Sequence, residues 1–214
     1  MLEPQIIFCH GFGLTPEYWD RLSPLFKNFK CHFWDLGYYS KPKLMNIPEH
    51  TPLIGIGHSF GMSALLSSPV SFQSIIGLNG FTSFLGYESR LNQLRKMELQ
   101  MMQKQFSLRP ERTLKSFIQR AGIDITLPSH LNLARLSHDL NQLNQALPLL
   151  SSPSSLLIVG SLDDPIVPPE IIQDNCKTFP MIHSQFLSYG KHALGYHHTD
   201  EIYAIIMEFI DATR

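Results

Sequence analysis

The sequence lacks the features that would place it in several special classes of protein. Charged side chains make up only 16% of its 214 residues and the net charge is −1, so no excess of basic charge points to nucleic acid. No apolar run approaches the about 20 residues that a membrane helix needs. The N-terminal stretch has no basic segment of the kind that opens a signal peptide. We therefore expect a monomeric cytoplasmic protein that has neither nucleic acid nor a membrane as partner.

Cysteine is also scarce, and this argues against a disulfide-stabilised scaffold. The three cysteines, Cys9, Cys31 and Cys176, are odd in number and widely spaced. Cys9 and Cys31 lie in apolar runs, which favours buried thiols in a reducing compartment. No spacing of cysteine and histidine is typical of a zinc site. We expect neither a metal nor a cofactor.

What the sequence does have is an alternation of short apolar runs with helix-like stretches, which is typical of an α/β protein with a mostly parallel sheet. Its length suits one domain with one sizeable core. Most of the runs are continuously apolar, as expected for strands that are buried on both faces. The predicted strands are Gln5–Cys9, Cys31–Asp35, Pro52–Gly57, Ser74–Asn79, Ser155–Gly160 and His183–Leu187. The predicted helices of this alternation are Pro16–Phe26, Phe60–Ser67, Pro168–Lys177 and Thr199–Ala212.

One segment, residues 84–147, interrupts this alternation. It contains no convincing strand, apolar residues recur in it at helical spacing, and its last helix is predicted over Leu131–Leu147. We predict a small helical cap here, inserted into an α/β core formed by residues 1–83 and 148–214. The link Leu36–Thr51 is too short, and too rich in proline and glycine, for a crossover helix, so the core should be trimmed there.

The pentapeptide Gly57-His-Ser-Phe-Gly61 is the strongest signal of chemistry. It follows a predicted strand and precedes a predicted helix, which is the setting of a nucleophile elbow. In such a turn the serine has a strained backbone, its Oγ is exposed at the carboxyl edge of the sheet, and the glycines remove side chains that would clash. We predict Ser59 as the nucleophile. The alternative is a glycine-rich turn with no catalytic role.

A second glycine-rich loop, His10-Gly-Phe-Gly13, directly follows the first predicted strand. Acyl transfer needs two backbone N–H groups that donate to the oxyanion. Phe60, the residue after the nucleophile, should supply one of them, and Phe12 in the early loop should supply the other. Taken alone, this loop is equally compatible with an ordinary strand-to-helix turn.

A serine nucleophile needs a base, and ten histidines compete for that role. His192 lies between the last predicted strand and the last predicted helix, in a loop that returns to the carboxyl edge of the sheet. His58 adjoins the serine in sequence, so its side chain should diverge from Ser59, and His10 belongs to the early loop. We therefore predict His192 as the base.

The base needs an acid that holds its tautomer and stabilises the imidazolium. The loop 160–168 follows a predicted strand and offers two candidates, Asp163 and Asp164. We predict Asp163 as the acid because of its place three residues after Gly160. Asp164 fits a structural role in the turn before Pro165.

Together these motifs resemble the α/β-hydrolase superfamily over essentially the whole chain, in the order serine, aspartate, histidine. Within it, the sequence is most similar to the pimeloyl-[acyl-carrier-protein] methyl ester esterases of biotin synthesis. The similarity rests on His10–Leu14, Gly57–Gly61, Glu111–Phe117, Gly160–Pro168 and Lys191–Ala193. It implies an α/β-hydrolase fold and a serine esterase that works through an acyl-enzyme. The implied reaction releases methanol from an ester that is held on an acidic carrier protein.

Charge is distributed unevenly along the chain. Residues 88–120 contain eight basic and three acidic side chains, a net charge of +5, so the remainder of the chain carries −6. Such a cap could attract an acyl carrier protein. Arg112 and Lys115 lie in the stretch Glu111–Phe117 that resembles these esterases, and we predict both as carrier-binding residues. The alternative is a solvated helix face.

Four phenylalanines, Phe81, Phe84, Phe106 and Phe117, are candidates for an apolar acyl pocket, although core packing is the alternative role for at least half of them. Three functions stay open at this point. The first is the carrier-protein methyl esterase, and the second is a general carboxylesterase or thioesterase for small acyl groups. The third is a hydrolase-fold protein that binds a ligand without catalysis, against which an intact triad argues.

Overall fold

The computed structural model describes residues 3–43 and 51–213. The strands in these ranges are β1 (Gln5–Cys9), β2 (Cys31–Trp34), β3 (Leu53–His58), β4 (Ser74–Leu78), β5 (Ser155–Ser161) and β6 (Ile182–Leu187). They form one sheet in the order β2-β1-β3-β4-β5-β6, and every neighbouring pair is parallel. All the predicted strands are confirmed, with each end within one residue of its predicted position.

The central strands β1, β3 and β4 are buried along nearly their whole length, which explains their continuously apolar sequences. The register pairs His58 at the end of β3 with Leu78 at the end of β4, and Leu78 in turn with Val159 in β5. The loops that follow these three strands therefore leave the sheet side by side, at one edge.

Helices accompany the sheet on the connections between strands. Those in the described residues are α1 (Phe60–Leu66), α2 (Ser89–Leu108), α3 (Pro110–Arg120), α4 (Leu133–Gln142), α5 (Pro169–Thr178), α6 (Leu194–His197) and α7 (Thr199–Ala212). The predicted helices that correspond to α1, α5 and α7 are confirmed. The helix predicted over Pro16–Phe26 is wrong. Two short 3₁₀ turns occur there instead, because Pro24 has no N–H and the surrounding N–H groups bond three residues back.

Residues 84–147, which we call the helical insertion, are all described and contain α2, α3 and α4 but no strand. The last helix is shorter than the predicted Leu131–Leu147. It begins after Asn132, whose side chain accepts a hydrogen bond from the backbone N–H of Arg135. It ends at Gln142, beyond which the backbone N–H groups of Asn144 and Gln145 bond to the carbonyl three residues earlier, as in turns. The division of the chain into a core and a cap domain stays a prediction.

The link between β2 and β3 is described only in part, because residues 44–50 lie outside the described residues. Residues 36–43 form no helix, and Lys43 returns to form a bridge with Asp35. The prediction that the link Leu36–Thr51 has no crossover helix is therefore tested only over residues 36–43 and 51. The prediction that the N-terminus is not a signal peptide involves residues 1 and 2, which lie outside the described ranges. No helix within those ranges has the length and apolar character needed to cross a membrane.

Candidate active site

Ser59 occupies the turn between β3 and α1 in a backbone conformation that side chains rarely adopt, with φ 53° and ψ −122°. The sharp turn brings neighbouring chain close on both sides of the serine. A Cβ at Gly57 would overlap the backbone of Met62, and a Cβ at Gly61 would overlap the carbonyl oxygen of Cys9. Both glycines of the pentapeptide are therefore needed to close the turn, and the geometry is that of a nucleophile elbow.

Two backbone N–H groups beside Ser59 fit the predicted oxyanion site. Phe60 is the first residue of α1, so its N–H precedes the first hydrogen bond within the helix. The N–H of Phe12 has no acceptor in the part of the chain that the structure describes. Tyr39 steadies this loop, because its hydroxyl donates to the carbonyl oxygen of Gly13 at 2.8 Å. Phe12 and Phe60 line the same cavity as Ser59, and their role toward an oxyanion stays a prediction.

The histidine–acid pair involves Asp164, so the prediction of Asp163 is wrong. Nδ1 of His192 lies 2.7 Å from Oδ2 of Asp164, and both side chains are buried. β5 continues to Ser161, one residue beyond its predicted end, and the turn that follows directs residue 164 inward. Asp163 is exposed, and its Oδ1 accepts hydrogen bonds from Oγ of Ser161 and from the backbone N–H of Lys191.

Four nitrogen groups surround the carboxylate of Asp164. Its Oδ1 accepts from the backbone N–H of Ile166 at 2.7 Å and from that of Val167 at 3.0 Å. Its Oδ2 accepts from Nδ2 of Asn79 at 2.7 Å and also faces Nδ1 of His192. The protein thus fills the acceptor capacity of this buried carboxylate and fixes its orientation toward the histidine.

Asn79 is a functional residue that the sequence analysis missed. It directly follows β4, is fully buried and has φ 50°, a conformation that asparagine tolerates better than most residues with a side chain. Besides Asp164, its Nδ2 donates to the carbonyl oxygen of Lys191 at 3.2 Å, so it ties the acid loop to the histidine loop. The sequence shows only that this asparagine lies at the carboxyl end of a predicted strand, and no motif marks it.

His58 supports the loop of His192 from inside the protein. Its Nε2 donates to the carbonyl oxygen of His192 at 2.7 Å. Burial, and then the neighbouring His192, lower the pKa of His58 well below its usual value, so this ring stays neutral. Nε2 of His192 is buried and has no hydrogen-bond partner among the described residues. His192 therefore has one ring nitrogen engaged with Asp164 and a second that is available for chemistry.

The remaining candidate groups are used in structure. Nε2 of His10 accepts a hydrogen bond from the backbone N–H of Leu36 at 3.1 Å, which ties the early loop to its neighbour. Cys9 is a free buried thiol whose pKa is raised by burial. Within residues 3–43 and 51–213, no three histidine, cysteine, aspartate or glutamate side chains are grouped so that they could hold a metal ion.

Ser59 lines a small cavity of about 80 Å³ between the sheet edge and the helical insertion. Phe81, Phe84 and Phe117 line it as well, whereas Phe106 is buried outside this wall. That these three rings bind a substrate stays a prediction. Ligand pockets usually have a volume of about 300–1,000 Å³, so this cavity is small and suits a short acyl group.

The two predicted carrier-binding residues lie elsewhere on α3. Lys115 lines a separate cavity of about 810 Å³, to which Tyr39 and Leu114 also belong. Arg112 is exposed and lines neither cavity. The structure therefore brings neither side chain to Ser59, and the larger cavity is distinct from the one that contains the nucleophile elbow.

Two other arginines of the helical insertion do reach the acid loop, and the sequence analysis counted them only as part of a basic segment. Arg95 is buried, with Nη2 donating to the carbonyl oxygen of Ile166 and Nη1 pairing with Glu98, each at 2.5 Å. Nη2 of Arg120 donates to the carbonyl oxygen of Pro165 at 2.8 Å. Both arginines line the cavity of Ser59.

Comparison with known proteins identifies the fold. No protein-family model matches this sequence, and no curated protein sequence matches it. Solved structures match over nearly the whole chain. An epoxide hydrolase from Bacillus megaterium, solved in complex with an inhibitor, is 16% identical, with a TM-score of 0.71 and coverage of 98% of this chain and 94% of its own.

Two further structures show the same similarity. MenH from S. aureus is 14% identical, with a TM-score of 0.71 over 100% of this chain and 95% of its own. A lipase-esterase related protein from Clostridium acetobutylicum is 14% identical, with a TM-score of 0.66 over 96% and 94% of the two chains. Together with the parallel sheet described above, these matches show that the chain has the α/β-hydrolase fold.

Proposed function

We propose that this protein is a carboxylic ester hydrolase in which Ser59 is the nucleophile, His192 the base and Asp164 the acid. One observation carries the proposal. A buried His192 pairs with Asp164 through Nδ1, and its Nε2 has no partner among the described residues, at the sheet edge that also holds the elbow of Ser59. The structural similarity to a lipase-esterase related protein supports an ester as the substrate.

In the proposed mechanism, Nδ1–H of His192 donates to Asp164, which leaves Nε2 to accept the proton of the Ser59 hydroxyl. The serine oxygen attacks the ester carbonyl, and the imidazolium then protonates the leaving alcohol. Water hydrolyses the acyl-enzyme, with His192 acting as the base again. Asn79 and two backbone N–H groups keep the carboxylate of Asp164 in the orientation that this tautomer needs.

Negative charge develops on the carbonyl oxygen of the substrate during both steps. The backbone N–H groups of Phe12 and Phe60 are the proposed donors to this oxygen, and both residues line the cavity. In other serine hydrolases, loss of one such donor lowers kcat by about 10²–10³. Because both donors belong to the backbone of core loops, the chemistry is supplied by the sheet edge rather than by the helical insertion.

A fluorophosphonate probe tests the nucleophile directly. We expect the wild-type protein to be labelled at Ser59, as identified by peptide mass spectrometry, and Ser59→Ala to remain unlabelled. The same variant should lose about 10⁴–10⁶ in kcat toward p-nitrophenyl acetate, as triad nucleophiles do. A folded wild-type protein that neither reacts with the probe nor hydrolyses any ester would instead be a binding protein without catalysis.

A narrower proposal concerns the substrate, namely the methyl ester of a pimeloyl group on an acyl carrier protein in biotin synthesis. Seven of the eight basic side chains within residues 88–120 are exposed, including Arg112 and Lys115. An acidic carrier protein would be steered toward such a surface at low salt. A general carboxylesterase or thioesterase for small acyl groups is the alternative.

Reversal of charge separates these two functions. The double variant Arg112→Glu and Lys115→Glu should raise KM for a carrier-bound ester and leave the hydrolysis of p-nitrophenyl acetate nearly unchanged. The wild-type protein should also restore growth without biotin to a strain that lacks its pimeloyl ester esterase, and Ser59→Ala should not. Equal kinetics of the double variant on both esters, with no dependence on salt, would favour the general carboxylesterase.

A further inference from the structure

The cavity of Ser59 is largely apolar, but charged side chains gather on one side of it. Arg95, Glu98 and Arg120 are the charged residues among its described lining. Glu98 pairs with Arg95 at 2.5 Å, and its side chain is 59% exposed. Arg120 has no acidic partner within the described ranges, so the wall of the cavity carries an excess of one positive charge.

Arg95 is the more unusual of the two arginines, because a buried guanidinium normally has a full set of partners. Its guanidinium lies 4.6 Å from the ring centre of Phe84, and its Nε is buried with no acceptor in the described part of the chain. Burial lowers the pKa of Arg95. The carboxylates of Glu98 and Asp164 oppose this shift, and Arg120 adds to it. An anion in the cavity beside the two arginines would offset their repulsion.

We propose that Arg95 and Arg120 form an anion subsite of the catalytic cavity and that the preferred substrate is a small ester that carries a carboxylate. This inference rests on the esterase function proposed above, in its form as a general carboxylesterase for small acyl groups. A guanidinium recognises a carboxylate through parallel N–H donors as well as through charge. The cavity of about 80 Å³ limits the group between the ester and the carboxylate to a few atoms. A monoester of a short dicarboxylic acid satisfies both conditions.

A purely structural role for the same arginines makes a different prediction. Both also donate to the carbonyl groups of residues 165 and 166, which directly follow Asp164. If they only hold this loop, their substitution disturbs Asp164 and lowers the hydrolysis of every ester by the same factor. If they bind an anion, their substitution affects the charged ester selectively, and mainly through KM.

The test compares three esters by the protons that their hydrolysis releases. Methyl butyrate is neutral, monomethyl succinate carries a carboxylate on the acyl part, and acetoxyacetate carries one on the alcohol part. We expect the wild-type kcat/KM for one of the two charged esters to exceed that for methyl butyrate by about 10-fold or more. Whichever charged ester is preferred shows on which side of the ester bond the carboxylate lies.

Substitution of the arginines should remove that preference. Arg95→Gln and Arg120→Gln should each lower this preference about 10-fold. Glutamine is uncharged, but its amide group is still a hydrogen-bond donor of the kind that the loop carbonyl accepts. Arg109→Gln removes an exposed charge at the start of α3 that lines neither cavity, and it should leave the preference unchanged. Arg120 is exposed, so its variant provides the comparison if the variant of the buried Arg95 does not fold.

Two results would overturn the subsite. One is an equal loss on neutral and charged esters in the glutamine variants, and the other is a wild-type protein that prefers methyl butyrate to both charged esters. A measurement without turnover completes the test, because succinate should raise the Tm of Ser59→Ala and raise that of Ser59→Ala with Arg120→Gln less. If the wild-type protein hydrolyses p-nitrophenyl acetate but none of the three esters, the subsite fails and the esterase function stands. If it hydrolyses no ester and does not react with the fluorophosphonate probe, the esterase function itself fails, whatever succinate does to Tm.

Discussion

The core loops and the helical insertion contribute to the candidate site in different ways. The core supplies positions that the backbone determines, such as the strained turn of Ser59, the left-handed Asn79 and the four nitrogen groups around Asp164. The helical insertion supplies side chains that line the cavity, among them Arg95 and Arg120. This difference predicts that substitutions in the two regions will change the reaction and the choice of substrate separately.

The physical origin of this difference is burial. The turn of Ser59, Asn79 and the acid loop begin at the ends of β3, β4 and β5, which are buried along nearly their whole length and lie side by side in the sheet. By contrast α2, which has 20 residues, buries only Arg95, Leu99 and Phe106, and leaves Met97 and Met101 more than 60% exposed. Substitutions in the core should therefore act on kcat and on stability, whereas those in the helical insertion should act on selectivity.

After the loss of Ser59 itself, the largest effect on kcat should come from Asp164, one of two neighbouring aspartates in the acid loop. Asp164→Asn should lower kcat by about 10⁴ with the fold intact, because asparagine favours the wrong tautomer of His192. Asp163→Asn changes an exposed residue of the same loop and should stay within a few-fold of the wild-type value. Steady-state kinetics on p-nitrophenyl acetate measure both variants. A larger loss in Asp163→Asn would reverse the assignment of the acid.

A second comparison uses one glycine from each region. In Gly61→Ala the new Cβ would overlap the backbone carbonyl of Cys9, so the chain must shift, at a cost of about 3 kcal/mol of unfolding free energy. Gly122 follows α3 with φ 79°, and a Cβ there meets only the side chain of Lys191, at 3.5 Å. Gly122→Ala should therefore lose only about 1–2 kcal/mol, the cost of the left-handed conformation. Urea unfolding measures both, and equal losses would contradict the distinction.

Asn79 tests whether a core residue can tune the reaction without touching the substrate. Asn79→Gly keeps the left-handed backbone but removes the Nδ2 donor to Asp164, so kcat/KM should fall about 10- to 100-fold. Asn79→Asp instead places a second carboxyl group beside Asp164. Its activity relative to the wild-type protein should be higher at low pH, where the new carboxyl can be protonated and donate. A purely structural role would leave the shape of the pH profile unchanged.

The parts of the structure that follow from local pattern were predictable. Most of the six strands come from continuously apolar runs, and the elbow comes from the glycine spacing around Ser59. The choice between Asp163 and Asp164 was not, because a change of one residue at the end of β5 exchanges the side chain that points inward. A pattern read from the sequence does not fix a strand end that finely.

The contributions that depend on tertiary packing were not predictable from the sequence. Asn79 belongs to no motif, and its role exists only because β4 and β5 are neighbours in the sheet. The basic residues within 88–120 can be counted in the sequence, but the count does not show which of them line the cavity of Ser59. That depends on how α2 and α3 pack over the acid loop, which places Arg95 and Arg120 in the cavity and leaves Arg112 outside it.

The smallest predicted effect compares two carboxyl groups whose pKa values shift in opposite directions. Asp35 lies in a core loop, where burial acts to raise its pKa. The neighbouring His10 ring, together with hydrogen bonds from the backbone N–H of Gly37 and the hydroxyl of Ser40, outweighs burial and lowers the pKa. Asp139 lies in α4, where burial raises its pKa by more than Arg135 lowers it. Folding thus favours the ionised form of Asp35 and the protonated form of Asp139.

These opposite shifts predict opposite dependences of stability on pH. Asp35 stabilises the fold above its unfolded pKa of 3.8, and that contribution is lost as pH falls through the lower pKa of the folded state. The contribution of Asp139 is present below 3.8 and is lost as pH rises through the higher pKa of the folded state. Relative to the wild-type protein, Asp35→Asn should therefore lose more stability at pH 7 than at pH 3. Asp139→Asn should lose less stability at pH 7 than at pH 3. For each variant, the loss of unfolding free energy at pH 7 and the loss at pH 3 should differ by no more than about 1 kcal/mol in urea unfolding. A pH trend of the same sign in both variants would contradict the assignment.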